Sequence, residues 1–217
     1  MSTPRGPTVR FAVLVPVKPP ARGKSRLVGL PEEQRAALAT AFARDTVAAA
    51  MAAERVAAVM VVTDDAAFAA VAAADGCATL PDGVTGDLNA SLVQAALEAG
   101  RRWPSYAVAT VCADLPALRS ADLDAALARV PVDGTAFVAD ARGDGTTTYA
   151  ASSAALFAPR FGPGSGQAHA ASGAAEIAGD LASLRQDVDD VGDLGRAMVL
   201  GVGAHTAEAM GHGPHRS

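Results

Sequence analysis

The chain has 217 residues, half of them hydrophobic but only 4% aromatic, so its core rests on small aliphatic side chains, alanine and valine above all. That length and apolar share suit one compact domain and exclude disorder over most of the chain. Eighteen Lys and Arg against 23 Asp and Glu leave a net charge of −5, which argues against a nucleic-acid partner, since such binding rests on cations neutralising phosphates.

The first ten residues, MSTPRGPTVR, hold no apolar stretch, and no run of about 18 apolar residues follows, so neither export nor membrane insertion is expected. From there apolar runs and helical stretches alternate, the pattern of an α/β domain with a mostly parallel sheet. Arg10 to Val17 reads as a first buried strand and Pro31 to Glu54 as a long helix, with Glu32 and Glu33 at the positive end of its dipole. Arg55 to Thr63 is a second strand, Asp65 to Ala74 a short helix closed by Gly76, and Cys77 to Leu80 a short third strand. Turn formers fill Pro81 to Asp87; an amphipathic helix, Leu88 to Trp103, and a strand, Tyr106 to Cys112, come next. Asp122 to Val130 is helical and Thr135 to Ala139 a strand. The stretch from Asp140 to Gly166, rich in Gly, Thr, Ser and Pro, reads as loops and a hairpin laid over one sheet edge. Gln167 to Ala178, Ser183 to Val188 and Asp193 to Leu200 read as helix, strand and helix. A single domain over residues 8–202 is expected, with loose ends at 1–7 and 211–217.

Chemistry-bearing residues gather where strands end. Lys18, Arg22, Lys24 and Arg26 crowd nine residues after the first strand, which suits a phosphorylated ligand; a solvated basic loop is the competing reading. Gly23-Lys24-Ser25 is not a Walker A loop, because position 18 is lysine where that motif needs glycine. Asp64 and Asp65 end the second strand, with an ordinary helix cap as the alternative for Asp65. Asp114 follows a strongly apolar strand, and Asp187 and Asp189, read as i and i+2 of a late strand, share one face. Such carboxylates repel unless a cation sits among them, so Asp114, Asp187 and Asp189 are read as a magnesium site. Gly162-Pro-Gly-Ser-Gly166, before a helix, reads as an anion-receptive backbone nest, with Thr146, Thr147 and Thr148 adding hydroxyls; a surface loop capped by Ser165 is the alternative. Cys77 and Cys112 read as two buried thiols in a reducing cytoplasm rather than a disulfide. No histidine pair, G-x-S-x-G serine or activated cysteine offers hydrolytic or zinc chemistry.

Leu14-Val-Pro-Val-Lys18 with the basic loop, Asp87-Leu-Asn-Ala-Ser-Leu92, Ala113-Asp-Leu-Pro116, Gly145-Thr-Thr-Thr-Tyr149, Phe161-Gly-Pro-Gly-Ser165 and Asp187-Val-Asp189, in this order, resemble the CofC/FbiD family. These are guanylyltransferases of coenzyme F420 biosynthesis. The resemblance implies a single-domain, Rossmann-like GT-A nucleotidyltransferase fold with a mixed, mostly parallel sheet flanked by helices. It implies a cytoplasmic enzyme moving GMP from GTP to phosphoenolpyruvate, or in other members to 2-phospho-L-lactate. By the same resemblance Lys18, Lys24 and Arg26 hold the GTP phosphates as the catalytic cations, with Ser25 and Asn89 among the nucleotide contacts. Asp114, Asp187 and Asp189 bind Mg2+, and Thr147, Gly162 and Ser165 receive the acceptor. Contact with the next enzyme of the pathway stays open, as do a 3-phosphoglycerate acceptor and a catalytically silent nucleotide-binding partner. The family reads G-L-N-x-A-L at Asp87 to Leu92 and D-V-D-T-P-E-D-L at Asp187 to Leu194; the second departure leaves Asp189 and Asp190 as alternatives for the metal.

Overall fold

A computed structural model describes residues 9–18, 27, 29–84 and 86–211. Its strands are β1 (Phe11–Pro16), β2 (Val56–Val62), β3 (Ala78–Leu80), β4 (Ala107–Val111), β5 (Thr135–Ala139), β6 (Thr146–Ala151) and β7 (Ala175–Glu176). They form one sheet in the order β3-β2-β1-β4-β6-β5-β7. β1 pairs in parallel with β2 and β4, β2 with β3, and β5 with β7; β6 is antiparallel to both neighbours. Because only β6 is reversed among the described strands, the carboxyl ends of β1 to β5 and the start of β6 meet along one edge.

The helices are α1 (Glu32–Met51), α2 (Ala66–Ala74), α3 (Leu88–Arg102), α4 (Ser120–Leu127), α5 (Ser165–Ala171), α6 (Ala182–Arg185), α7 (Val191–Leu200) and α8 (Ala204–Ala209). β1 is apolar throughout because both of its faces are covered. Phe11, Val13 and Val15 pack in one cluster with Val47 of α1, Phe68 of α2 and Leu123 of α4. Ala12 and Leu14 face the other way, onto Leu92, Ala95, Ala96 and Ala99, a stripe at helical spacing on α3. Asp65 caps α2, accepting from the Ala67 and Phe68 amides at 2.9 and 3.0 Å, and Asp87 caps α3 through the Ala90 amide.

Three expected elements differ. The stretch read as edge loops contains β6, which is buried along its whole length and sits between β4 and β5 rather than over an edge. Its β-branched threonines suit a pleated strand, and two of their hydroxyls are bonded inside: Thr147 Oγ1 donates to the Leu184 carbonyl and Thr146 Oγ1 meets His169 Nδ1. Ser183 to Val188 is no strand. Leu181 and Leu184, three residues apart and both buried, turn the chain into the single helical turn α6, and residues 186–190 are irregular. The helix expected to reach Ala178 stops at α5, because Gly173 at φ +87° turns the chain into β7.

α8 carries no signal in the sequence pattern. Its first amides, those of His205 and Thr206, are accepted at 3.0 and 2.8 Å by the buried carboxylate of Asp45, which lies in the middle of α1. Cys77 is buried and Cys112 half-buried, and neither is part of a disulfide. Burial, with the charge of Asp75, pushes the Cys77 thiol up to about 11, so it remains a protonated core residue. No described helix is long and apolar enough to cross a membrane. The ends expected to be loose lie outside the described residues except for Gly211.

Candidate active site

At the carboxyl edge of the sheet a cleft of about 330 Å³ opens between β1 and β4, lined by Val17, Lys18, Ala43, Ala113, Asp114 and Asp189. Lys18 is exposed there, one residue beyond the core. A second hollow shares Lys18 and Leu88 and continues to Val62, Asp82 and Ser91, so the two form one trough across the ends of β4, β1, β2 and β3. Lys24, Ser25 and Arg26, the remaining expected phosphate contacts, lie outside the described residues, as does Arg22.

The acidic cluster is assembled by backbone bonds. Asp114 leaves β4, and its carbonyl accepts from the Val188 amide at 3.0 Å, which draws the segment after α6 alongside. Arg185 ties that segment to the sheet by donating to the Ala139 and Ile177 carbonyls at 2.9 and 2.8 Å. As a result Asp114, Asp187 and Asp189 each bring a ligand oxygen within 4.8 Å of the others. The expected trio thus converges, but from a loop rather than from a strand face. Three hard carboxylate oxygens at that spacing fit Mg2+, and their mutual repulsion favours a cation among them.

Asp189 and Asp190 have separate surroundings. Asp190 caps α7, accepting from the Asp193 amide at 2.8 Å, and also meets Arg142 at 3.1 Å. Asp193 completes a capping box, accepting from the amides of Asp189 and Asp190 at 3.1 and 3.0 Å. Burial pushes the Asp193 carboxyl up, but those amides and the guanidinium groups of Arg196 and Arg142 outweigh it, and the net shift is downward. An anion is thereby fixed behind the loop that carries Asp187 and Asp189. The sequence places Asp193 at the start of the last expected helix; it stands instead at the third position after the Asp190 cap, where an Asp takes the part that Glu or Gln usually plays in a capping box.

Gly162 and Gly164 adopt φ of +140° and +70°, which side chains rarely tolerate, and turn the chain sharply into α5. Gly164 caps the helix, while Ser165, expected as the cap, is its first residue and is buried. Two side chains clamp the residues just before this turn. The Asn89 amide donates to the Phe161 carbonyl at 2.9 Å and accepts from its amide at 2.7 Å. His169 Nε2 accepts from the Arg160 amide at 2.8 Å, which assigns the ring proton to Nδ1, facing Thr146 Oγ1. The His169 ring is wholly buried, stacked 4.7 Å from Tyr149, and burial pushes its pKa down to about 4, so it is neutral. Asn89 and Thr147, expected as ligand contacts, thus spend side-chain bonds on Phe161 and Leu184. No sequence signal foretold His169, whose partners lie 9 and 23 residues away.

The fold of the chain resembles that of solved nucleotidyltransferases. A nucleotidyl transferase from Methanothermobacter superposes with a TM-score of 0.60 over 86% of this chain and 95% of that one at 17% identity. A 4-diphosphocytidyl-2C-methyl-D-erythritol synthase superposes with a TM-score of 0.56 over 88% and 98% at 15% identity. The fold is therefore of the GT-A-like nucleotidyltransferase class.

Residues 11–211 match the family described as Guanylyl transferase CofC like, and the chain belongs to that family. A phosphoenolpyruvate guanylyltransferase of Thermomonospora curvata is 46% identical over 198 residues, covering 91% of this chain and 87% of its own. One from Salinispora arenicola is 45% identical over 204 residues, covering 93% and 94%.

Proposed function

We propose that this chain transfers GMP from GTP to phosphoenolpyruvate, releasing pyrophosphate and giving enolpyruvyl-diphospho-5'-guanosine, a step of coenzyme F420 biosynthesis. The carrying observation is membership of the CofC-like family along nearly the whole chain, beside relatives of that activity at 45–46% identity. The converged Asp114, Asp187 and Asp189 next to Lys18 support it.

The chemistry asks little of the protein in acid–base terms. The second pKa of a phosphate monoester is near 6, so the phosphate of phosphoenolpyruvate arrives largely as a dianion and needs no general base. His169 is accordingly free to be structural. What the reaction requires is in-line placement of the acceptor oxygen against the α-phosphorus and neutralisation of the charge that builds on the departing pyrophosphate. Lys18 supplies one cation at the trough, and Lys24 and Arg26 are proposed to join it. Asp114, Asp187 and Asp189 would hold Mg2+, which when bound offsets charge on the α-phosphate and the pyrophosphate. Asp193 and Asp190 hold the loop that presents two of those ligands, and the turn at Gly162 to Ser165, clamped by Asn89 and His169, is proposed to receive the acceptor. This reading sets the protein in the cytoplasm with its substrates.

An acceptor panel tests it. With GTP and Mg2+, mass detection should find product from phosphoenolpyruvate at a rate well above that from 2-phospho-L-lactate or 3-phosphoglycerate. Equal rates across the panel, or none with phosphoenolpyruvate, would overturn the acceptor assignment.

A further inference from the structure

We propose that Asp82, assisted by Ser91, is the guanine-reading residue of the trough. The inference rests on the GTP-using reading above and adds to it the basis of nucleobase choice. The hollow beyond Lys18 runs over the ends of β2 and β3 to the start of α3, and Asp82 and Ser91 line it. Asp82 Oδ1 and Ser91 Oγ are both buried, and both lack a hydrogen-bond partner. Ser91 is 2% exposed, so its hydroxyl has no recourse to bulk water. Buried polar atoms are almost always partnered, and two orphans on the wall of one hollow mark a place where a ligand completes the bonding.

The loop carrying Asp82 is held for this purpose. The Asp64 carboxylate at the end of β2 accepts from the Asp82 amide at 2.9 Å, and the Leu80 carbonyl accepts from Thr63 at 2.9 Å. Gly83 lies so close to Gln94 of α3 that a Cβ would fall 2.2 Å from its Oε1, so loop and helix fit closely. Asp64, which the sequence leaves without a role, becomes a positioning residue.

A carboxylate presents acceptors only. The N1–H and N2–H2 edge of guanine presents two donors side by side, whereas adenine offers an acceptor at N1 and no amino group at C2. Asp82 therefore matches guanine and leaves adenine with an acceptor facing the buried acceptor Oδ1, a mismatch that costs far more than a missing contact. The Ser91 hydroxyl donates to a ring acceptor of the base.

Replacing Asp82 with Asn makes a sharp test, because an amide carries one acceptor and one donor. Xanthine keeps N1–H but bears a carbonyl where guanine has its amino group, so Asp82→Asn complements xanthosine triphosphate. In calorimetry on the full chain, wild type should bind GTP more tightly than XTP or ATP. Asp82→Asn should lose roughly 10- to 100-fold for GTP, the range for hydrogen bonds to a charged group, and bind XTP better than GTP. Ser91→Ala, which removes an orphan hydroxyl and no fold contact, should weaken GTP while leaving the GTP-to-XTP ratio unchanged. A wild type indifferent to the base, or an Asp82→Asn variant that keeps its preference for GTP over XTP, overturns the proposal. Because binding is read without acceptor, failure of the phosphoenolpyruvate assignment is seen separately, in the acceptor panel.

Discussion

Asp189 and Asp190 are adjacent carboxylates with different work, and their neighbours decide which does what. Asp190 is committed to the first turn of α7 and to Arg142, while Asp189 stands with Asp114 and Asp187. Asp189→Asn should lower turnover at least 100-fold with little change in melting temperature. Asp190→Asn keeps a good capping residue and should leave turnover within a few-fold. Steady-state rates of the two variants check this, and equal losses would contradict the division. Asp114→Asn should likewise abolish turnover in a folded chain, as circular dichroism and pyrophosphate release would report together. His169 gives a residue-scale prediction in pH. Its folded value of about 4 lies below the ordinary 6.5, so on acidification the unfolded chain takes up the proton first. His169 costs no stability above pH 6.5, and stability falls between pH 6.5 and 4 by up to roughly 3 kcal/mol. Urea unfolding at pH 7 and pH 5 should show about 2 kcal/mol of that drop, reduced in His169→Gln; an unchanged drop would remove His169 as its source.

At the scale of elements, long apolar runs and helix stripes were legible because their periodicity follows from which faces are buried. β1, β2, β4, α1 and α3 lie where the sequence indicates. What was hidden depends on partners distant in the chain. β6 reads as loop because its threonines are polar in composition, yet all three are buried, and Thr147 and Thr146 bond internally to Leu184 and His169. The sequence places Asp187 and Asp189 on a strand face, and they converge instead from a loop because the Asp114 carbonyl captures the Val188 amide. The site residues were readable in identity and their support was not. α8 shows the same dependence: Asp45 caps it from α1, and a Cβ on Gly203 would sit 2.3 Å from the Asp45 Cγ. Asp45→Ala should cost about 1–3 kcal/mol by leaving two amides at the start of α8 without their acceptor, and Gly203→Ala a similar amount by forcing α8 off α1. Denaturant midpoints check both, and α8 undocking would leave the midpoint unchanged only if Asp45 contributed nothing.

Across the whole molecule, a net charge of −5 conceals a division of labour along one edge of one sheet. Six described strands run the same way, and that direction gathers Lys18, Asp64, Asp82, Asp114 and the start of β6 at a single edge. Alanine and valine pack a plain platform, and the uncommon residues stand where its strands stop. This edge is proposed to join GMP to a phosphorylated three-carbon acid. The most direct measurement follows GTP labelled at the α-phosphorus, with and without phosphoenolpyruvate, in the presence of Mg2+. The prediction is label in an enolpyruvyl product, with pyrophosphate released in equal amount and only when phosphoenolpyruvate is present. Label recovered as GMP or GDP regardless of phosphoenolpyruvate would contradict it.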